Sequence, residues 1–94
     1  MEFRSIGHRG LRRLIEKNDG REVRRDLEAR LRRVITALIL APDPESILGP
    51  PGWRIHRLTG DRAGTWSISV SGNWRITFEM LEGDITNLNL EDYH

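Results

Sequence analysis

The sequence ends in Glu91-Asp92-Tyr93-His94, two carboxylates, a phenol and an imidazole on successive residues. An imidazole titrates near neutral pH, so His94 is a natural proton carrier, with Asp92 and Tyr93 beside it. A polar chain end is more often a frayed tail than a catalytic cluster, so the tail alone leaves both readings open. Two further residues have suitable chemistry. His56 lies in Trp53-Arg54-Ile55-His56-Arg57-Leu58, and Arg75 lies in Trp74-Arg75-Ile76-Thr77-Phe78. Each has an ordinary alternative: a hydrogen-bonded histidine on a strand surface, and a salt-bridged arginine.

Other chemistries are excluded by residue type. The chain has no cysteine, which removes disulfides, thiol catalysis and cysteine-ligated zinc. The three histidines, His8, His56 and His94, are too scattered to suggest a metal site. No phosphate-binding glycine loop, nucleophile elbow, dinucleotide fingerprint or zinc-protease motif is present. Neither cofactor nor metal is expected. Any reaction must run on acid–base and cationic groups.

The elements that must position these residues follow from periodicity. Glu2-Phe3-Arg4-Ser5-Ile6 alternates like a short strand. Leu11, Leu14 and Ile15 mark one face of a short helix, stopped by Asn18-Asp19-Gly20. Val23, Leu27, Leu31, Val34, Ile35 and Leu38 hold the 3.6 period and predict a second helix from about Arg21 to Leu40. Asp26 with Arg30, and Glu28 with Arg32, would pair along it at i, i+4. Pro42 ends it, and proline and glycine bracket a loop through Gly52. The period then becomes two. Trp53–Leu58 is a strand candidate. Trp66, Ile68, Val70, Trp74, Ile76, Phe78 and Met80 form an apolar sheet face around a turn at Ser71-Gly72-Asn73. A last strand runs from Ile85 to Leu90 after Glu82-Gly83-Asp84. The opposite face, with Ser67, Ser69, Ser71, Arg75, Thr77 and His56, points away from that core. Small serines around one long cation make that face concave. The predicted fold is α+β, with two N-terminal helices packed on a small antiparallel sheet.

Ninety-four residues allow one domain, 1–94, with a single core. No apolar run is long enough for a membrane span, and Met1-Glu2-Phe3-Arg4 lacks the apolar stretch of a signal peptide, so a cytoplasmic protein is expected. The net charge of +1 conceals an asymmetry. Residues 1–40 carry eleven basic and six acidic side chains, a charge of +5; residues 41–94 carry four and eight, a charge of −4. A basic half suits a polyanion or an acidic protein. Fourteen of the fifteen basic residues are arginine, which suits bidentate phosphate contacts and equally reflects GC-rich codons.

Three stretches together resemble one family. They are Gly60-Asp61-Arg62-Ala63-Gly64-Thr65-Trp66-Ser67-Ile68, then Val70-Ser71-Gly72-Asn73-Trp74-Arg75-Ile76-Thr77-Phe78, then the terminal Glu91-Asp92-Tyr93-His94. They are similar to the HigB toxins, plasmid-maintenance killer proteins of the RelE/ParE superfamily. His8-Arg9-Gly10-Leu11 and Ile55-His56-Arg57-Leu58 extend the likeness over essentially the whole chain. The resemblance implies a RelE-like fold and a ribosome-dependent endoribonuclease that cuts mRNA in the decoding site of the small subunit. It implies neutralisation by a HigA-like helix-turn-helix antitoxin. It places the functional residues at His56, Arg75, Asp92, Tyr93 and His94. Thr59 and Ser71 stand where the family often has Lys and Arg, which implies a weakened site. A non-catalytic antitoxin- or nucleic-acid-binding module, or a ParE-like toxin acting on DNA gyrase, are the alternatives.

Overall fold

The computed structural model describes residues 1–92. Helix α1 (Arg9–Lys17) and helix α2 (Glu28–Leu40) precede four strands, β1 (His56–Arg57), β2 (Trp66–Ser71), β3 (Trp74–Leu81) and β4 (Asp84–Asp92). The strands form one antiparallel sheet in the order β1-β2-β3-β4. The α+β expectation of two helices on an antiparallel sheet holds.

α1 begins where His8 caps it, its Nδ1 accepting from the Leu11 amide at 3.2 Å. It ends at Asn18, whose φ of 53° is the left-handed turn that closes a helix. Leu11, Leu14, Leu31, Val34 and Leu38 from the helices meet Ile68, Ile76, Phe78, Ile85 and Leu88 from the sheet in one buried cluster. Trp66 and Phe78, partners across β2 and β3, stack with ring centroids 6.4 Å apart. The β2–β3 hairpin turns through Gly72 with a bulge between Ser69 and Ser71. The β3–β4 hairpin turns on Glu82 and Gly83, both at positive φ, as a two-residue turn of this twist requires.

Three expectations change. The second helix starts at Glu28 and not at Arg21. Residues 21–27 form successive turns, with Val23 N bonding Gly20 O and Leu27 N bonding Arg24 O. Val23 and Leu27 are still buried, so the apolar period served the core without demanding a helix. The cause is tertiary. The Glu22 carbonyl packs so tightly on Gly10 of α1 that a Cβ at Gly10 would lie 2.4 Å from it. Asp26 accordingly pairs with Arg24 and not with Arg30, whereas Glu28 and Arg32 pair as expected at 3.1 Å.

The Trp53–Leu58 strand contracts to His56–Arg57. Pro51–Trp53 is a 3-10 turn, and Arg54 at φ 47° leaves the extended region. The segment at residues 2–6, expected as a short strand, runs parallel to β4 through single bridges at Phe3–Ile85 and Ile6–Leu88. Arg4 N donates to Ile85 O at 2.7 Å, and Gly7 N to Leu88 O at 2.7 Å.

Candidate active site

On the sheet face turned from the helices, register sorts the polar residues into two rows. One row runs His56–Ser67–Thr77–Asn89 across the four strands. The next runs Ser69–Arg75–Glu91 across β2, β3 and β4. Strand alternation puts Arg75 here because Ile76 is fully buried on the other side. The polar face is not simply solvated. Ser67 and Thr77 are 1% and 2% exposed, so the centre of this face is closed over.

Glu91 organises one end of the site. Arg62, from the short turn Gly60–Arg62, donates to both its carboxylate oxygens at 2.7 and 2.6 Å. Thr77 Oγ1 donates to Oε2 at 2.5 Å. The bidentate arginine and the hydroxyl, with the Arg75 charge nearby, pull the Glu91 carboxyl down to about 2. It is therefore a fixed anion at neutral pH and no proton donor. Its work is to anchor Arg62 and the turn against β3, beside Arg75. The sequence placed an acid at position 91 and an arginine at 62. Their pairing was hidden by a sequence separation of 29.

His56 stands exposed on the edge strand β1. Its Nδ1 lies 2.6 Å from the Arg54 carbonyl oxygen. A carbonyl only accepts, so Nδ1 carries the proton of the neutral ring and Nε2 keeps its lone pair. Asp92 is in register with Trp74, the neighbour of Arg75 that packs toward the core, so backbone alternation sets it on the other face from Glu91. The sheet thus brings His56 and Arg75 to one face and sets Asp92 toward the other. Tyr93 and His94 lie outside the described residues.

Position 71 has an unexpected neighbour. Arg30 of α2 reaches across the edge of β2 and donates from Nη1 to Ser71 Oγ at 2.7 Å. A guanidinium therefore stands at this place even though the residue itself is serine. Position 59, at the start of the turn to Arg62, is plain threonine.

A two-helix layer on a four-stranded antiparallel sheet, with a polar face that holds a mid-sheet guanidinium, is the architecture of small RelE-like toxins. The fold is shared with a crystal structure of a YafQ variant from E. coli, with a TM-score of 0.61 over 97% of this chain and 91% of that one, at 14% identity. Residues 2–94 match the HigB-like toxins, described as RelE-like toxins of type II toxin–antitoxin systems. The chain is also 40% identical over 97 residues to Endoribonuclease HigB of Proteus vulgaris, covering 98% of this chain and 99% of that protein. The chain belongs to the HigB-like toxin family. An antitoxin partner follows from membership of a type II toxin–antitoxin system. Among the described residues no helix is long and apolar enough to cross a membrane.

Proposed function

We propose that this protein is an endoribonuclease toxin that cuts mRNA in the decoding site of the small ribosomal subunit, in the cytoplasm, and is silenced by a HigA-like helix-turn-helix antitoxin. The whole chain, residues 1–94, acts as one domain. The observation that carries the reading is the register of Ser69, Arg75 and Glu91. It sets one guanidinium in mid-sheet on the polar face, with His56 one row away. The likeness to an endoribonuclease over nearly the whole of both chains supports the same reaction.

RNA carries its own nucleophile. A base takes the 2′ proton, the 2′ oxygen attacks the phosphorus, and the bond from phosphorus to the 5′ oxygen breaks. An acid returns a proton to that leaving oxygen. The products are a 2′,3′-cyclic phosphate and a free 5′-hydroxyl. Arg75 stabilises the charge gathering on the phosphoryl oxygens with two parallel hydrogen bonds. His56 is suited to the base role, because Nε2 keeps a lone pair while Arg54 O holds Nδ1–H. Two strand spacings and one two-residue step separate the backbones of His56 and Arg75, about 10–12 Å, over which both side chains can reach one phosphodiester. Among Asp92, Tyr93 and His94, the tail supplies the acid and a ring to stack on a base. Glu91, held ionised, anchors Arg62 on the polar face.

Primer extension on a defined mRNA with programmed ribosomes tests the reading. Cuts are expected with ribosomes and not on naked mRNA, and a 2′-deoxy sugar at the cut site abolishes them. Intact mRNA on ribosomes, or equal cutting of the 2′-deoxy message, overturns it.

A further inference from the structure

We propose that the cavity between α2 and the open edge of β2 is a second RNA subsite, holding a nucleotide next to the scissile one. Arg30 and Arg33 would hold its phosphate, and Trp53 its base. The choice of RNA as ligand rests on the endoribonuclease reading above.

β1 covers only the first part of β2, pairing at Trp66 and Ser67. Beyond it the edge at Ser69, Val70 and Ser71 stays open, and it borders a cavity of about 330 Å³. That is at the lower end of the roughly 300–1,000 Å³ typical of small-ligand sites. Arg30 and Arg33 from α2, the Pro50–Trp53 turn and the two serines line it.

Among the described residues the cations of this cavity form no ion pair. Arg9, Arg13, Arg21, Arg24 and Arg32 each face a carboxylate at 2.7–3.1 Å. Arg30 and Arg33, one helical turn apart, have no carboxylate within ion-pair distance among the described residues. Two guanidinia on one helix face, beside serine hydroxyls, suit a phosphate.

Trp53 adds the apolar half. Its ring packs closely on Gly49, where a Cβ would come within 2.1 Å of ring carbons. The ring is therefore pinned, and a pinned indole at a cationic cavity is a stacking platform for a base. Ser69 ties the cavity to the reacting centre, since it is in register with Arg75. Two strand spacings, on the order of 10 Å, separate the cavity from the Arg75 backbone. A strand of RNA crossing the sheet edge can occupy both.

The test is anisotropy of a fluorescein-labelled 2′-O-methyl hexauridylate, which 2′-OH attack cannot cut, titrated with the full chain at several salt concentrations. Arg30→Ala with Arg33→Ala is expected to weaken binding at least tenfold at low salt. It should lower the slope of log affinity against log salt by about 0.7 per cation removed. Trp53→Leu should weaken binding about tenfold and leave the slope unchanged. Arg30→Lys with Arg33→Lys should keep the wild-type slope. The proposal is overturned if the wild type does not bind, or if the alanine pair binds like wild type. It also falls if the lysine pair loses the slope as the alanine pair does, since that marks a structural role. Ribosome cleavage run in parallel separates the two readings. Cavity-dependent binding without cleavage sustains the subsite and removes the endoribonuclease. Cleavage without cavity-dependent binding removes the subsite alone.

Discussion

Arg75 is half-buried between Trp74 and Ile76, yet its side of β3 carries no part of the hydrophobic cluster. Truncating it removes a charge from the polar face and little apolar packing. Arg75→Ala is therefore expected to lower single-turnover cleavage on programmed ribosomes about 100- to 1,000-fold, the usual loss for one donor to a developing oxyanion. Its thermal unfolding should stay within a few degrees of wild type, whereas Trp74→Ala falls much further. A shared collapse would make Arg75 structural. Glu91 shows the opposite economy. Its carboxyl is held at about 2 against an ordinary 4.5, chiefly by Arg62 and then by Thr77. A lowered folded value means that the unfolded chain binds the proton more readily. The stabilisation is thus complete above about pH 4.5 and disappears as pH falls toward 2. Glu91→Gln should flatten the fall of unfolding temperature across that window, measured by circular dichroism, while wild type drops steeply. Positions 59 and 71 also separate at this scale. With Arg30 already on Ser71 Oγ, Ser71→Arg brings a like charge to an occupied place and should give no gain in cleavage rate. Thr59→Lys should raise it, read in the same single-turnover assay.

Among the elements, the joint between α1 and the 20–27 turns decides where α2 begins. Gly10 is buried against the Glu22 backbone, and the Arg9 and Arg13 side chains clasp Glu22 at 2.9 and 2.7 Å from the same helix. The joint is backbone on backbone, so a methyl group cannot be absorbed by a rotamer change. Gly10→Ala, favourable for helix propensity by up to about 1 kcal/mol, is nevertheless expected to destabilise by about 1–3 kcal/mol. Urea unfolding measures this directly. The sheet depends on its hairpins in the same way. The bulge at Ser69–Ser71 resets the pairing of β2 with β3, and the left-handed residues Glu82 and Gly83 hold β4 in register with β3. That register is what makes Arg75 and Glu91 neighbours.

For the molecule as a whole, charge is distributed by pairing more than by count. Most arginines of the first forty residues are neutralised locally, so the +5 of that half acts through the few left open, above all Arg30 and Arg33. Tyr93 and His94 follow Asp92, the last residue described. Removing Tyr93 and His94 takes away a phenol and an imidazole. Truncation at Asp92 should abolish mRNA cleavage while leaving unfolding temperature and antitoxin binding close to wild type. Primer extension and a co-purification with the antitoxin check the two halves. Wild-type cleavage by the truncated chain would make the tail a mere chain end.

Much of this was legible one residue type at a time. Alternation of period two from Trp66 to Met80 dictated the sheet and sent Arg75 to the polar face, because a strand has only two sides. The glycine and asparagine turns, and the apolar stripes of the helices, were equally local matters. What local pattern could not decide was anything resting on a long-range contact. The apolar period at Val23 and Leu27 suits a helix or a buried turn alike, and only the Gly10–Glu22 approach chose the turn. Proline and a left-handed Arg54 cut β1 to two residues, which opened the β2 edge. The Arg62–Glu91–Thr77 anchor and the Arg30–Ser71 contact join residues 14 to 41 positions apart. Side-chain chemistry names such partners, but only packing brings them within hydrogen-bond reach, because a hydrogen bond is decided by tenths of an ångström and a sequence pattern only by faces.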